Sequence, residues 1–189
     1  VIAGVGTNDT AKAVKLAKEA EALGADAILL LAPYYNKPTQ EGIYRHFKAS
    51  AEAVSLPIVV YNIPGRTAVN ILPATIARLA EDFKNIAAVK EASGSLDQVS
   101  EIVSLIKRPF SVLSGDDSLT LPMMAVGASG VISVIANIAP RQTADMCAAV
   151  SRGDWSKAKA LHLKMFPLVK ALFIETNPIP VKAALELMG

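Results

Sequence analysis

Apolar runs of five or six residues alternate along the chain with longer amphipathic stretches. The apolar runs fall at 1–5, 27–32, 57–62, 86–90, 110–114 and 130–135. They are rich in Ile, Val, Leu and Ala and lie next to turn-forming residues. This pattern predicts parallel strands buried on both faces. Between them, 9–23, 40–53, 73–83, 96–106, 118–126 and 140–151 carry apolar residues at helical spacing. Asp9 or Thr10 can cap the first helix, Gly24 closes it, and Pro73 sits where a helix begins. After residue 135 the strands stop, and 154–173 and 181–188 read as helices. The expected organisation is a strand–helix domain over 1–153 followed by the start of a helical domain over 154–189.

Six strand–helix units fit either a doubly wound sheet or part of an eight-stranded barrel. A doubly wound nucleotide-binding sheet carries a glycine-rich first turn. Here that turn is Gly4-Val5-Gly6-Thr7-Asn8-Asp9, which lacks the third glycine of the fingerprint. A barrel instead gathers polar residues at the C-terminal ends of several strands. Tyr34 and Tyr35, Tyr61 with Asn62 and Arg66, Lys90 with Glu91, Ser114 with Asp116 and Asp117, and Ser133 with Asn137 all stand there. The fold class is therefore α/β, a partial or shortened (β/α)8 TIM barrel followed by C-terminal helices.

Composition narrows the function classes. The chain has 189 residues, 52% hydrophobic and 19% charged, enough for a substantial core. Its net charge is only +2, and its lysines alternate with glutamates along the helices, so nucleic acid is not an expected partner. No run is long and apolar enough to suggest a membrane span or a secretory leader. The single cysteine, Cys147, lies in an alanine-rich helical stretch with no histidine beside it in sequence, which favours a buried bystander over a nucleophile. One cysteine makes no internal disulfide, so the expected compartment is the cytoplasm.

The candidate chemistry centres on Lys90, at the end of Ile86-Ala87-Ala88-Val89-Lys90-Glu91-Ala92-Ser93-Gly94. A lysine leaving the core at a strand top either snorkels to water or is held at the rim of an apolar pocket. In the second case burial disfavours the ammonium, and the amine becomes a nucleophile toward carbonyls. Tyr61, one strand earlier, is either a core tyrosine or a phenol that shuttles protons for an imine. Arg66, in a Pro-Gly turn five residues later, suits a substrate carboxylate. Asp116 and Asp117 read as capping residues. With His46 and His162 far apart in sequence, no transition-metal site is expected.

Several motifs together resemble the dihydrodipicolinate synthase (4-hydroxy-tetrahydrodipicolinate synthase) family. They are Pro33-Tyr34-Tyr35-Asn36-Lys37-Pro38, Tyr61-Asn62-Ile63-Pro64-Gly65-Arg66-Thr67, Val89-Lys90-Glu91-Ala92, Ser114-Gly115-Asp116-Asp117, Gly130-Val131-Ile132-Ser133 and Asn177-Pro178-Ile179-Pro180-Val181-Lys182. The resemblance implies a (β/α)8 barrel with a C-terminal helical domain, usually a homo-oligomer. It also implies a cytoplasmic lyase that condenses pyruvate with L-aspartate 4-semialdehyde on the way to diaminopimelate and lysine, without a cofactor beyond the lysine imine. By position, Lys90 resembles the Schiff-base lysine, Tyr61 the proton donor and acceptor, and Tyr35 the relay tyrosine that reaches a neighbouring subunit. Arg66 resembles the arginine at the pocket entrance, and Gly115 and Ile132 the lining of the pyruvate pocket. Asn8 and Tyr34 match positions that bind a lysine inhibitor in some members. Lys12 stands where those members carry a glutamate, so lysine feedback is not expected.

The match corresponds to family strands three to eight and the start of the helical domain. The family's Thr-Thr-Gly-Glu motif has no counterpart here, which predicts weak turnover. Two alternatives remain at this stage. One is a truncated barrel scaffold with impaired catalysis. The other is a related pyruvate-dependent aldolase of the N-acetylneuraminate lyase or 2-keto-3-deoxygluconate aldolase type. Apolar edge strands at 1–5 and 130–135 also predict association between copies.

Overall fold

The computed structural model describes residues 1–189. The elements, in order, are β1 (Ile2–Gly4), α1 (Thr10–Ala22), β2 (Ala27–Leu31), α2 (Gln40–Ala53), β3 (Ile58–Asn62), α3 (Pro64–Thr67), α4 (Pro73–Asp82), β4 (Ile86–Glu91), α5 (Leu96–Leu105), β5 (Ser111–Ser114), α6 (Thr120–Ala125), β6 (Gly130–Val131), α7 (Pro140–Ser151), α8 (Trp155–Ala171) and α9 (Ile179–Met188). The strands follow one another across the sheet in chain order, β1-β2-β3-β4-β5-β6. A doubly wound sheet would reverse its order at a switch point. An unbroken order is that of a barrel wall, so the architecture is a six-strand partial (β/α)8 barrel followed by helices.

Two compact units divide the chain, Val1–Leu113 and Ser114–Gly189. In the first, the pairs β1–β2, β2–β3 and β3–β4 are parallel. Side chains alternate between two faces. Ile28 and Leu30, Ile58, Val60 and Asn62, and Ile86, Val89 and Glu91 are all essentially buried, on the side covered by helices. Leu29, Leu31, Tyr61 and Lys90 lie on the opposite side and are only half-buried. The register between β3 and β4 shifts once: Ile58 pairs with Ile86, but Val59 pairs with Ala88, leaving Ala87 unmatched.

Local chemistry explains the helix ends. Asp9, not Thr10, caps α1 by accepting from the Lys12 amide at 2.7 Å, and Gly24 takes φ +79° just beyond the helix. Gly6 is required by close approach: a Cβ there would collide with the Leu31 side chain. Arg108 donates to the carbonyls of Ala80 and Phe83, at the end of α4, and of Ile86, at the start of β4. It thereby satisfies carbonyls that the helix leaves open.

Two segments differ from the sequence expectation. The Pro-Gly turn after β3 is a single helical turn, α3, with proline at its first position; Ala68 ends it at φ +60°. The last strand was expected over 130–135 but spans only Gly130–Val131. Asp117 Oδ2 accepts from the Val134 and Ile135 amides, and Ser133 Oγ accepts from Ala136 N. Side chains thus take amides that a longer strand would give to a neighbour, and the chain turns into a 3₁₀ segment at Ile135–Asn137.

In the second unit α7, α8 and α9 share one core containing Met146, Ala149, Ala158, Met165, Val169 and Val181. The turn at Gly153–Asp154 joins two packed helices, and Asp154 caps α8 through Lys157 N at 3.0 Å. No helix is long and apolar enough to cross a membrane.

His46 is buried on α2. Its Nδ1 lies 2.9 Å from Thr10 Oγ1, while Nε2 meets no hydrogen-bonding group. Burial holds its pKa below the ordinary 6.5, against a smaller opposing pull from Asp9. Below that pH the unfolded chain binds a proton that the folded chain refuses. The stability from neutral His46 is therefore full above pH 6.5 and is lost as pH falls through the folded pKa. An NMR titration should give His46 a midpoint below 6.5; a midpoint at or above that value would contradict the assignment.

Candidate active site

Lys90 and Tyr61 are register partners at the C-terminal ends of β4 and β3. Because they occupy the same face, the Lys90 Nζ reaches 4.2 Å from the centre of the Tyr61 ring. An ammonium at that distance is attracted by the ring's quadrupole, and the contact also places an amine beside a phenol. Tyr61 is half-buried. Burial raises its hydroxyl above the ordinary pKa of 10, and the nearby Arg66 charge offsets part of the shift. The phenol is therefore protonated at neutral pH. Arg66 sits on α3, four residues past the end of β3. Thr67, beside it, is fully buried and donates to carbonyls of Ile63 or Val69, which anchors the turn.

The other predicted residues fall in distinct places. Tyr34 and Tyr35 lie on the turn after β2. Tyr35 is 87% exposed and adopts φ +72°, a conformation unusual for a tyrosine. Asn36 donates to the Asn8 carbonyl at 3.3 Å, which ties the turn after β2 to the turn after β1. Lys12 is exposed near the start of α1. In the second unit, Ile132 N donates to Ser114 O at 2.9 Å, which brings Ile132 beside the backbone of Gly115. No group of three or more His, Cys, Asp or Glu is arranged to hold a metal ion.

Behind the lysine–tyrosine pair lies a buried polar network. Glu91 Oε1 and Oε2 lie 3.2 and 3.0 Å from Asn62 Nδ2. Glu91 also accepts from Ser93 N at 2.7 Å and from Gln98 Nε2 at 2.9 Å. Asn62 in turn donates to Asn70 Oδ1 at 2.7 Å and accepts from Ile71 N at 2.9 Å. Asn70 donates to Gln98 Oε1 at 2.8 Å. Glu91 and Asn62 stand in motifs noted in the sequence, but nothing local signals Asn70 and Gln98. Asn70 lies in the loop between α3 and α4 and Gln98 on α5, and only the fold brings the two together.

Fold and site thus define a (β/α)-barrel chain with a lysine and a tyrosine paired at adjacent strand tops. The Dihydrodipicolinate synthetase family matches residues 1–189, and the chain belongs to that family. The chain is 59% identical over 189 residues to the 4-hydroxy-tetrahydrodipicolinate synthase of Syntrophus aciditrophicus, covering all of this chain and 65% of that protein. The corresponding protein of Geobacter sulfurreducens is 58% identical with the same coverage. The crystal structure of the dihydrodipicolinate synthase of Thermotoga maritima matches with a TM-score of 0.98 and 53% identity, over all of this chain and 65% of its own. That of Aquifex aeolicus matches at 0.96, also 53% identical, over 97% of this chain and 63% of its own. The chain thus spans about 65% of the length of the curated relatives it matches.

The Tyr61 environment is directly testable. The chain has four tyrosines, and the ultraviolet difference titrations of wild type and Tyr61→Phe should differ by one step lying above pH 10. A lost step at or below pH 10 would contradict the burial argument.

Proposed function

We propose that the chain carries the imine-forming site of a 4-hydroxy-tetrahydrodipicolinate synthase, a lyase that condenses pyruvate with L-aspartate 4-semialdehyde. The observation that carries this reading is the register pairing of Lys90 with Tyr61, with Nζ 4.2 Å from the ring centre. Membership in the family adds the substrate class.

In the proposed sequence the Lys90 ammonium first loses a proton to solvent, and the free amine attacks the pyruvate ketone carbon. Tyr61 gives its proton to the developing alkoxide and mediates the proton transfers that release water and leave the imine. The imine withdraws electrons better than the ketone, so the pyruvate methyl loses a proton to give an enamine. The enamine carbon attacks the aldehyde carbon, forming the new carbon–carbon bond. Attack by the substrate's own amine, or by water, then frees Lys90. Arg66 suits the carboxylate of the semialdehyde through a bidentate contact. The backbone near Gly115 and Ile132 suits the pyruvate pocket, and Tyr35 suits a relay across a subunit boundary. No cofactor beyond the lysine imine is needed.

The same reading makes 154–189 the beginning of a helical domain, the working form a homo-oligomer and the compartment the cytoplasm. Arg66 favours a small carboxylated aldehyde over the polyol substrates of the related aldolases.

Borohydride reduction in the presence of pyruvate tests the site. The wild-type chain should gain the mass of one reduced pyruvate, mapping to Lys90, and Lys90→Ala should gain none. An adduct of equal yield in the variant would remove Lys90 from the mechanism.

A further inference from the structure

The Lys90–Tyr61 contact depends on an irregularity in the sheet. If side chains simply alternated along β4, Ile86, Ala88 and Lys90 would share one face. Ile86 is fully buried, however, and pairs with Ile58, on the helix-covered side. The unmatched residue Ala87 reverses the alternation, so Lys90 emerges on the side of Tyr61 while Val89 and Glu91 face the helices. A slip of one residue would exchange these faces and drive the lysine toward the helices.

We infer that Glu91 is a positioning residue that locks this register and so holds Lys90 against Tyr61. It is 1% exposed, and its carboxylate accepts from three donors on different segments: Asn62 on β3, the Ser93 amide after β4, and Gln98 on α5. Asn62 is its own register partner. A buried carboxylate without donors is costly, so a slipped strand would strand a charge, whereas an apolar residue here would tolerate the slip. The lock acts through Lys90 and rests on the imine-forming reading above.

The test uses the full chain in three forms: wild type, Glu91→Gln, and the exchange Glu91→Gln with Gln98→Glu. Glutamine at 91 keeps the shape but turns an amide donor into a ring of donors. The exchange restores the 91–98 pair, because a carboxylate at 98 accepts from the new amide and still accepts from Asn70 Nδ2, while the amide oxygen at 91 keeps Ser93 N and Asn62 Nδ2. Pyruvate trapping is read as a limiting rate and a half-saturating concentration, with thermal unfolding alongside. Glu91→Gln should lower the limiting rate roughly tenfold or more at little change in half-saturation, the mark of misplaced reacting groups. The exchange should recover most of the rate. Wild-type trapping that Glu91→Gln leaves unchanged would overturn the inference alone, as would a folded exchange variant that stays slow. Absence of any adduct in the wild type would overturn the imine reading, and this inference with it.

A separate observation lies within the Ser114–Gly189 unit. Asp117 is 6% exposed; its Oδ2 holds two amides, but Oδ1 is buried without a hydrogen-bond partner among the protein groups. Asp117 borders a small cavity of about 10 Å³ whose wall also includes Thr120, Thr143, His162, Met146 and Met165. That volume accepts one water-sized molecule. Both threonine hydroxyls donate to carbonyls, at 3.1 and 3.0 Å, and keep lone pairs free to accept. The geometry points to a built site for one water molecule, donating to Asp117 Oδ1 and to the Thr143 hydroxyl. A high-resolution crystal structure of the full chain should show a single water in hydrogen-bond reach of Oδ1. Methyl groups of Met146 and Met165 should give NOEs to a long-lived water, whose residence should shorten roughly tenfold in Thr143→Val through loss of one hydrogen bond. A dry cavity, direct occupation of Oδ1 by His162, or density that depends on added ammonium or potassium would overturn it.

Discussion

Register between β3 and β4 is the constraint on which the candidate site depends. A parallel pair of strands sets two sequences of side chains against one another, and a single residue of slip exchanges their faces. Here one unmatched residue, Ala87, decides that Lys90 meets Tyr61. The chemistry at the strand tops follows from that backbone geometry as much as from the identity of the two side chains.

The two faces of the sheet do different work. The helix-covered side is mostly aliphatic, and the polar side chains that β3 and β4 place there, Asn62 and Glu91, are each held by several hydrogen bonds. Such a network adds geometric definition that aliphatic packing does not, because its donors and acceptors must meet at hydrogen-bond distance and direction. The opposite side is less covered and carries the groups with reactive potential. A satisfied network behind the Lys90–Tyr61 pair fixes the backbone from which both side chains project.

Side-chain acceptors shape the second unit in a similar way. Asp117, read from sequence as a cap, reaches beyond its own turn and holds the amides of Val134 and Ile135. That contact is 17 and 18 residues long in sequence, and it cuts the sixth strand short. The local cap is Asp116, which accepts from Ser118 N at 2.9 Å, whereas the partners of Asp117 could not be seen locally.

The sequence by itself determined the class of fold and the order of its elements, and it named Lys90 and Tyr61 as the candidate pair. Periodicity and capping chemistry are local, so Asp9, Gly24 and Pro73 announce their helices, and continuous Ile-Val-Leu runs announce buried parallel strands. The motifs around Tyr61 and Lys90 carried the family, which the match over residues 1–189 bears out. Tertiary structure alone decided the bulge at Ala87, the one-turn helix at Pro64–Thr67, the short sixth strand and the meeting of Asn70 and Gln98 with Glu91. The reason is physical: local patterns fix what a segment prefers, whereas register and buried hydrogen bonds depend on which distant donors and acceptors the folded sheet brings within reach.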